Sequence, residues 1–419
     1  MANIEISRDI HLQKLISAKH DGLIKIITGI RRCGKSYLLN NIFCNHLHSE
    51  GIDDAHIIKI DLENRRIAEL RNPDNLIAYI DSRMTDDKMY YILLDEVQRV
   101  DQFEDVLNSY LCVKNADVYA TGSNSQFLSK DIITTFRGRS EEIRMAPLNF
   151  TEYCSIKQGD PATLLHEYMM YGGMPKAATM TDEAKRKQYL RDLVDNVYLR
   201  DIKERYNIDK DAELLELINV IASNIGCLTN AKKIEHTFKS KKNVTITDDT
   251  IRKYLQMLED AFLVNSSIRY DIKGKNYINT PLKYYFSDLG LRNARLNFRQ
   301  IEYPHLLENC IYNELLLRGL SVDVGQLQIV ARHQDKVQRE TLEVDFVCNQ
   351  NYKRYYIQVA YAMPTEEKKQ QEMRPLQTID DSFKKIIIVG TPTPTYQTED
   401  GIVVMSVYDF LAKPDSLSI

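Results

Sequence analysis

The sequence predicts an α/β protein in three successive parts: an open parallel sheet over residues 1–150, a helical and winged-helix region over 151–300, and a second α/β domain over 301–419. Three observations lead there. Short β-branched runs alternate with longer helical stretches through the first part, the rhythm of a parallel sheet with crossover helices. From Pro147 the apolar residues fall three and four apart, the period of a helix. After residue 300 a helix leads back into strand-like segments. At 419 residues the chain is also longer than one ordinary core sustains.

The elements follow in order. Residues 23–28, 56–62, 89–94 and 117–121 read as strands, and 141–144 as a fifth. Their consecutive apolar positions mean burial on both faces. Helical spacing then appears at 164–170 and 183–204, as in Tyr189, Leu193 and Val197, with Gly172-Gly173-Met174-Pro175 as the break. A compact unit starts at Leu214. Thr247-Asp248-Asp249 caps a helix whose one face carries Ile251, Tyr254, Leu255, Leu258 and Phe262. Strand-like runs at 263–270 and 277–286 join through Lys273-Gly274-Lys275, and helices closing into a hairpin suggest a winged helix. A helix at 305–318 precedes strands at 328–331, 342–348, 355–359 and 385–389, and 391–398 reads as a loop.

Composition narrows the function. Lys plus Arg is 55 and Asp plus Glu 59, a net charge of −4, so the chain is no bulk polyanion binder, although a local basic face is allowed. Hydrophobic residues at 43% and charged residues at 27% exclude disorder and a collagen repeat. The seven cysteines are scattered without CxxC or metal-ligand spacing, and the amino terminus is acidic where a secretory leader is basic. A reducing cytoplasm is the expectation. No apolar run approaches the ~20 residues of a membrane span, so membrane insertion is not expected.

Gly29-Ile30-Arg31-Arg32-Cys33-Gly34-Lys35-Ser36 fits GxxxxGK[ST], directly after a strand and before an apolar helix. Phosphate oxygens need several donors at once. The glycines let backbone N–H groups turn inward, and the helix start favours negative charge. Lys35 would reach the outer phosphates of ATP, and the Ser36 hydroxyl would ligate Mg²⁺. The strand at 89–94 ends in Asp95-Glu96, where Asp95 could hold Mg²⁺ through water and Glu96 could polarise the attacking water. Thr121-Gly122-Ser123-Asn124 follows the next strand, and Ser123 or Asn124 could orient that water or touch the γ-phosphate. In Arg137-Gly138-Arg139, Arg139 is a candidate arginine finger for a neighbour's nucleotide, or a solvated basic turn.

At these residues the chain resembles a known group. GIRRCGKSYLL, YYILLDEVQRV, YATGSNSQFLS, FRGRSEEIRMAPLNFTEY, YGGMP and YLRDIKERYNI are similar, in order and spacing, to prokaryotic ATPases of the AAA+ superfamily that carry a carboxy-terminal domain of unknown function. LKYYFSDLGLRNA and LEVDFV continue the resemblance over nearly the whole chain. It implies an AAA+ P-loop core, a winged helix and a restriction-endonuclease-like carboxy-terminal fold similar to PD-(D/E)xK nucleases. The phosphate loop carries over onto Gly29 to Ser36, the acidic strand end onto Asp95-Glu96, the polar sensor onto Ser123-Asn124 and the GR pair onto Gly138-Arg139. Ser36 stands where Thr is usual. Glu308 and Asp345 match the first nuclease acids, but the E-x-K that should follow reads Gln358-Val359-Ala360. Positions 358 and 360 share one strand face, so a metal ligand and the catalytic lysine are both lost there. The implied nuclease has lapsed, with Lys353, Lys384 or Lys385 as lysines that could swing in.

Two functional readings stand side by side. One is a cytoplasmic Mg²⁺-dependent ATPase that uses ATP to switch its domains on a protein partner, alone or as an oligomer. The other is a nucleic-acid binding module in which ATP is only a latch. Lys232, Lys233, Lys239, Lys241, Lys242 and Lys253 on the helices, with Lys273 and Lys275 at the hairpin tip, would contact DNA phosphates. An active nuclease stands third.

Overall fold

Five short runs of the amino-terminal third become strands β1 (Ile24–Gly29), β2 (Ile57–Asp61), β3 (Tyr90–Asp95), β4 (Ala116–Thr121) and β5 (Ser140–Met145). The computed structural model describes residues 6–122, 136, 138–208, 211–242, 246–333 and 336–418, the side chains of 241–242, 331–333 and 336–338 excepted. The five strands pair in the order β2-β3-β4-β1-β5, every pairing parallel. Every residue of β1 and β3 is buried, as largely apolar strands covered on both faces are. Ile26, Ile58, Ile92 and Val118 share one core with Leu76 and Ile80 of the helix Pro73–Arg83 and Val106 of the helix Phe103–Tyr110. Lys25 stays inside this sheet because its ammonium lies 2.6 Å from both Asp117 and Asp21. A parallel sheet delivers all its carboxyl ends to one edge, and there β1 lies against β4.

The chain divides into two compact units, Met1–Leu148 with Asp260–Phe262, and Asn149–Glu259 with Leu263–Ile419. The second unit opens with the helices Phe150–Ser155, Pro161–Tyr171 and Glu183–Leu193, the first held by a capping box between Asn149 and Glu152. The Gly172-Gly173 break is a docking point. Gly172 has φ +69°, a Cβ there would stand 2.2 Å from Asp288 Oδ1, and Gly173 N–H donates to Asp288 Oδ2 at 2.7 Å. Asp288 also caps the helix Leu289–Arg295, accepting from Leu291 N–H at 3.0 Å. YGGMP and FSDLGL, far apart in sequence, are two sides of one buried joint.

Helices Asp211–Ser223, Ala231–Thr237 and Asp248–Asp260 precede a hairpin of β6 (Val264–Asp271) and β7 (Asn276–Phe286), and Thr229 bridges back to Leu282. Five further strands follow: β8 (Ser321–His333), β9 (Lys336–Gln350), β10 (Lys353–Ala360), β11 (Lys384–Val389) and β13 (Val403–Ser406), with the two-residue β12 (Tyr396–Gln397) between the last two. All belong to one sheet, ordered β12-β13-β11-β10-β9-β8-β6-β7. The sequence places a boundary near residue 300; here β6 pairs parallel with β8, so main-chain hydrogen bonds join the two sides of it. Strands β8 and β9 run well beyond their apolar segments because they pair with each other along most of their length. The helix Glu366–Gln377 escapes the apolar pattern, being largely polar and carrying Pro375 inside. Among the described residues, no helix is long and apolar enough to cross a membrane.

Candidate functional site

The glycine loop leaves the carboxyl end of β1 and turns at once into a helix that runs from Lys35–Tyr37 through a wider π turn, Leu38–Phe43, to Cys44–Ser49. Gly29 has φ +133°, and a Cβ there would meet Met145 O at 2.2 Å, so only glycine passes β5 at this point. Arg32 and Gly34 are also left-handed, with φ +64° and +105°. Alternation of this kind turns successive N–H groups toward one concavity, the geometry that cradles anions. The Lys35 side chain is buried, its Nζ 2.9 Å from Gly29 O and 3.2 Å from Ile30 O, so the loop curls around its own ammonium.

The acids meet the loop from β3. Ser36 Oγ donates to Asp95 Oδ1 at 3.0 Å, and Asn40 Nδ2 approaches Oδ2 at 3.4 Å. Burial raises the Asp95 carboxyl above its usual range, offset in part by hydrogen bonds from Thr121 and Ser36. A divalent cation beside it would favour the ionised form, and hydroxyl and carboxylate oxygens are the donors Mg²⁺ takes. Ser36 and Asp95 therefore fit a metal, and the loop fits a triphosphate. Glu96 adopts φ +54°, which turns its chain sharply off the strand tip.

Two further residues shape this site, Thr121 from the stretch that follows β4's apolar run and Arg8 from outside any motif. Thr121, at the end of β4, donates its hydroxyl to Asp95 and accepts from Glu96 N–H at 3.0 Å, so one side chain positions both acids. Arg8 donates to Cys33 O at 3.1 Å and to Ala146 O at 2.5 Å, tying the loop backbone to the chain beyond β5. Thr121 was open to inspection as the last polar residue of an apolar strand. Arg8 carried no signal.

Ser123, Asn124 and Arg137 lie outside the described residues. Arg139 is exposed and accepts from Ile24 N–H at 3.0 Å through its carbonyl. That places it at the amino end of β1, whereas the loop leaves the carboxyl end; at ~3.3 Å per residue the strand separates them by roughly 20 Å. Within its own chain, Arg139 stands apart from the loop.

A second set of charged groups lies in the carboxy-terminal unit. Lys283 of β7 is almost fully buried, with Nζ 3.0 Å from Glu308 Oε1 and 2.7 Å from Glu343 Oε1. Tyr285 OH also donates to Glu308 Oε1, at 2.7 Å. Burial opposes the Lys283 ammonium, yet Glu308, Asp345 and Glu343 together hold its pKa above the usual lysine range. Burial and then the Glu308 charge raise the Asp345 carboxyl well above its own, while Val359 N–H donates to it at 2.8 Å. Gln358 turns to Glu372, its Nε2 donating at 3.2 Å, and Ala360 is buried. The lysine at these acids thus comes from β7, whereas Lys353 is exposed and Lys385 bonds Ile379 O at 2.6 Å. Among the described residues, no group of three or more His, Cys, Asp or Glu side chains is arranged to hold a metal.

Residues 21–154 match the family described as an AAA domain, and residues 162–302 a family described as a domain of unknown function (DUF8612). Over 419 residues the chain is 35% identical to an uncharacterized protein of Haemophilus influenzae, covering 98% of this chain and 100% of that one. The chain belongs to that family, with an AAA domain at its amino end. An uncharacterized protein of Methanocaldococcus jannaschii is 29% identical over 381 residues, 88% of this chain and 80% of its own. Among solved structures, a Walker-type ATPase of Pyrococcus abyssi is similar at 14% identity and a TM-score of 0.49, over 70% of this chain and 96% of that one. The Orc1 protein of Aeropyrum pernix, solved in complex with DNA, has 13% identity and a TM-score of 0.32, over 70% of this chain and 92% of that one. The AAA match ends at residue 154, and the first compact unit's amino-terminal segment ends at Leu148.

Proposed function

We propose that the protein is a Mg²⁺-dependent ATPase whose AAA domain acts as a conformational switch on a protein partner. One observation carries this reading: Ser36 and Thr121, from two other elements, both donate to Asp95 beside the left-handed loop that ends in Lys35. Lys35 and the loop N–H groups bind the phosphates, Ser36 and Asp95 hold the metal, and Glu96 takes the proton of the attacking water. Mg²⁺, when bound, neutralises charge on the phosphates. Ser123 or Asn124 orients the water. Arg139, exposed at the far end of the sheet, serves a neighbouring copy in an oligomer. A steady-state ATPase assay with isothermal titration tests the assignment. Glu96→Gln should bind ATP normally and lose about 10²–10⁴-fold in turnover, while Lys35→Ala should fail to bind. Unchanged turnover in Glu96→Gln would sink the proposal.

A second reading, nucleic-acid binding with ATP as a latch, is favoured by the order helix, bridge, helix, helix, hairpin. This is the order of a winged helix, with Lys232, Lys233, Lys239 and Lys253 exposed on its helices. Duplex DNA affinity that is the same with and without ATP would end it. The side chains of Lys241 and Lys242 lie outside the description. For the carboxy-terminal domain we keep the lapsed-nuclease reading: Lys283 neutralises Glu308 and Glu343, while Gln358 and Ala360 supply neither charge nor proton. Cleavage of DNA in Mg²⁺ or Mn²⁺ that Asp345→Ala abolishes would refute it.

A further inference from the structure

The turn at 272–275 between β6 and β7, the β9–β10 turn at 350–353 and the loop at 378–383 line a common cleft of about 510 Å³. Its walls carry Lys273, Lys275, Lys353 and Arg354 against two carboxylates, Asp380 and Asp381. Asp381 is already engaged, accepting from Tyr356 OH at 2.6 Å and from Phe383 N–H at 3.1 Å. The three lysines are exposed. Burial and then the charge of Lys353 lower the neighbouring Lys384 ammonium.

Aromatic rings stand among these cations. Tyr352 is 86% exposed and Phe383 42%. The Arg354 guanidinium lies 4.9 Å from the Tyr270 ring centre and 5.4 Å from that of Phe383, and Asn349 fixes it by a 2.8 Å hydrogen bond. Large apolar faces left in water beside lysines are what a chain of phosphates and flat bases requires: cations track the backbone and rings take the bases. We propose that this cleft binds single-stranded nucleic acid, with phosphates on Lys273, Lys275 and Lys353 and an unpaired base stacked on Tyr352.

The alternatives fit less well. A base inside a duplex has both faces stacked and offers none to Tyr352. An acidic peptide would satisfy the lysines but brings no flat base to the exposed Tyr352 ring, and Asp380 suits the amino edge of such a base. The cleft belongs to the carboxy-terminal unit alone, and the proposal stands whether or not the AAA domain turns over ATP, which is read in the same samples.

Fluorescence anisotropy with a labelled single-stranded oligonucleotide and the full-length chain tests it. Tyr352→Ala should weaken binding about tenfold, with Tyr352→Phe restoring it. The Lys273→Ala/Lys353→Ala pair should lower the slope of log affinity against log salt by about 1.4, at ~0.7 for each phosphate no longer neutralised. Lys232→Ala/Lys239→Ala, on the helical face, should leave this binding unchanged. All are exposed positions, so the melting temperature should not move. The proposal is overturned by absent binding at low salt or by cleft variants that bind like the parent. It is equally overturned if a blunt duplex of the same sequence binds as tightly, or if the loss follows Lys232 and Lys239 instead.

Discussion

Replacing Lys283 by Met should destabilise the carboxy-terminal unit and leave the AAA domain intact. The ammonium is 3.0 Å from Glu308 and 2.7 Å from Glu343, and its side chain is only 3% exposed. Met preserves most of the volume, so packing contributes little and the loss reports the charges. Removing one partner of a buried ion pair typically costs about 3–5 kcal/mol, because the other is left unpaired. Glu343 is 40% exposed and can turn to water, so its share is small. Glu308 and Asp345 remain, and Tyr285 still donates to Glu308, which points to the lower end, about 3 kcal/mol. At roughly 2–4 °C per kcal/mol, the transition should fall by about 6–12 °C. The chain has no tryptophan, so scanning calorimetry is the natural readout. ATP should raise the AAA transition and leave the other in place, which tells them apart. The loss should shrink toward acid pH. Asp345 has a raised pKa, so the stability tied to its neutral form is full below its unfolded value and is lost as pH rises. Without Lys283 that rise costs more. A shift under about 2 °C, or one independent of pH, would refute the view that this lysine neutralises the cluster.

Other outcomes follow from the same geometry. Thr121→Val keeps the shape but strands Asp95 and Glu96 N–H, so turnover should drop about tenfold or more with a smaller change in ATP affinity; equal turnover would remove Thr121 from the site. Gly172→Ala places a Cβ 2.2 Å from Asp288 Oδ1 at φ +69° and should cost about 2 kcal/mol or more in denaturant unfolding, whereas Gly22→Ala, at φ +78° but in open space, should cost less. Burial raises Asp288 to about 6 against the pull of backbone N–H groups, so its contribution to stability is full below about pH 4 and fades as pH passes 6. Asp288→Asn should flatten that part of the stability–pH curve, and an unchanged curve would show that another group titrates there.

The amino-terminal sheet was legible strand by strand because its order follows from local pattern. Predominantly apolar runs such as LIKIIT and YYILL read as buried parallel strands, and the glycine loop after the first of them announces its own geometry. Lys35, Ser36, Asp95 and Glu96 could be named together for the same reason: each sits at the end of a recognisable element. Thr121 was in view within Thr121-Gly122-Ser123-Asn124, but its hold on both acids depends on β4 lying between β1 and β3, which no spacing along the chain reveals. The helix Glu366–Gln377 was hidden by polar composition, and the extensions of β8 and β9 by pairing that sustains a strand where its own residues do not.

By itself, the sequence determined the local features: the strands of the amino-terminal sheet, the amphipathic helices, and the loop whose glycines must turn left-handed. Tertiary structure alone decided what meets across the chain. It brought Lys283 of β7 to Glu308 and Glu343, set Gly172 against Asp288, joined the hairpin to β8, and gathered Lys273, Tyr352 and Arg354 around one cleft. The physical reason is that backbone periodicity depends on neighbours a few residues away, whereas a charge finds its partner through sheet order and register, which are settled only when the whole core is buried.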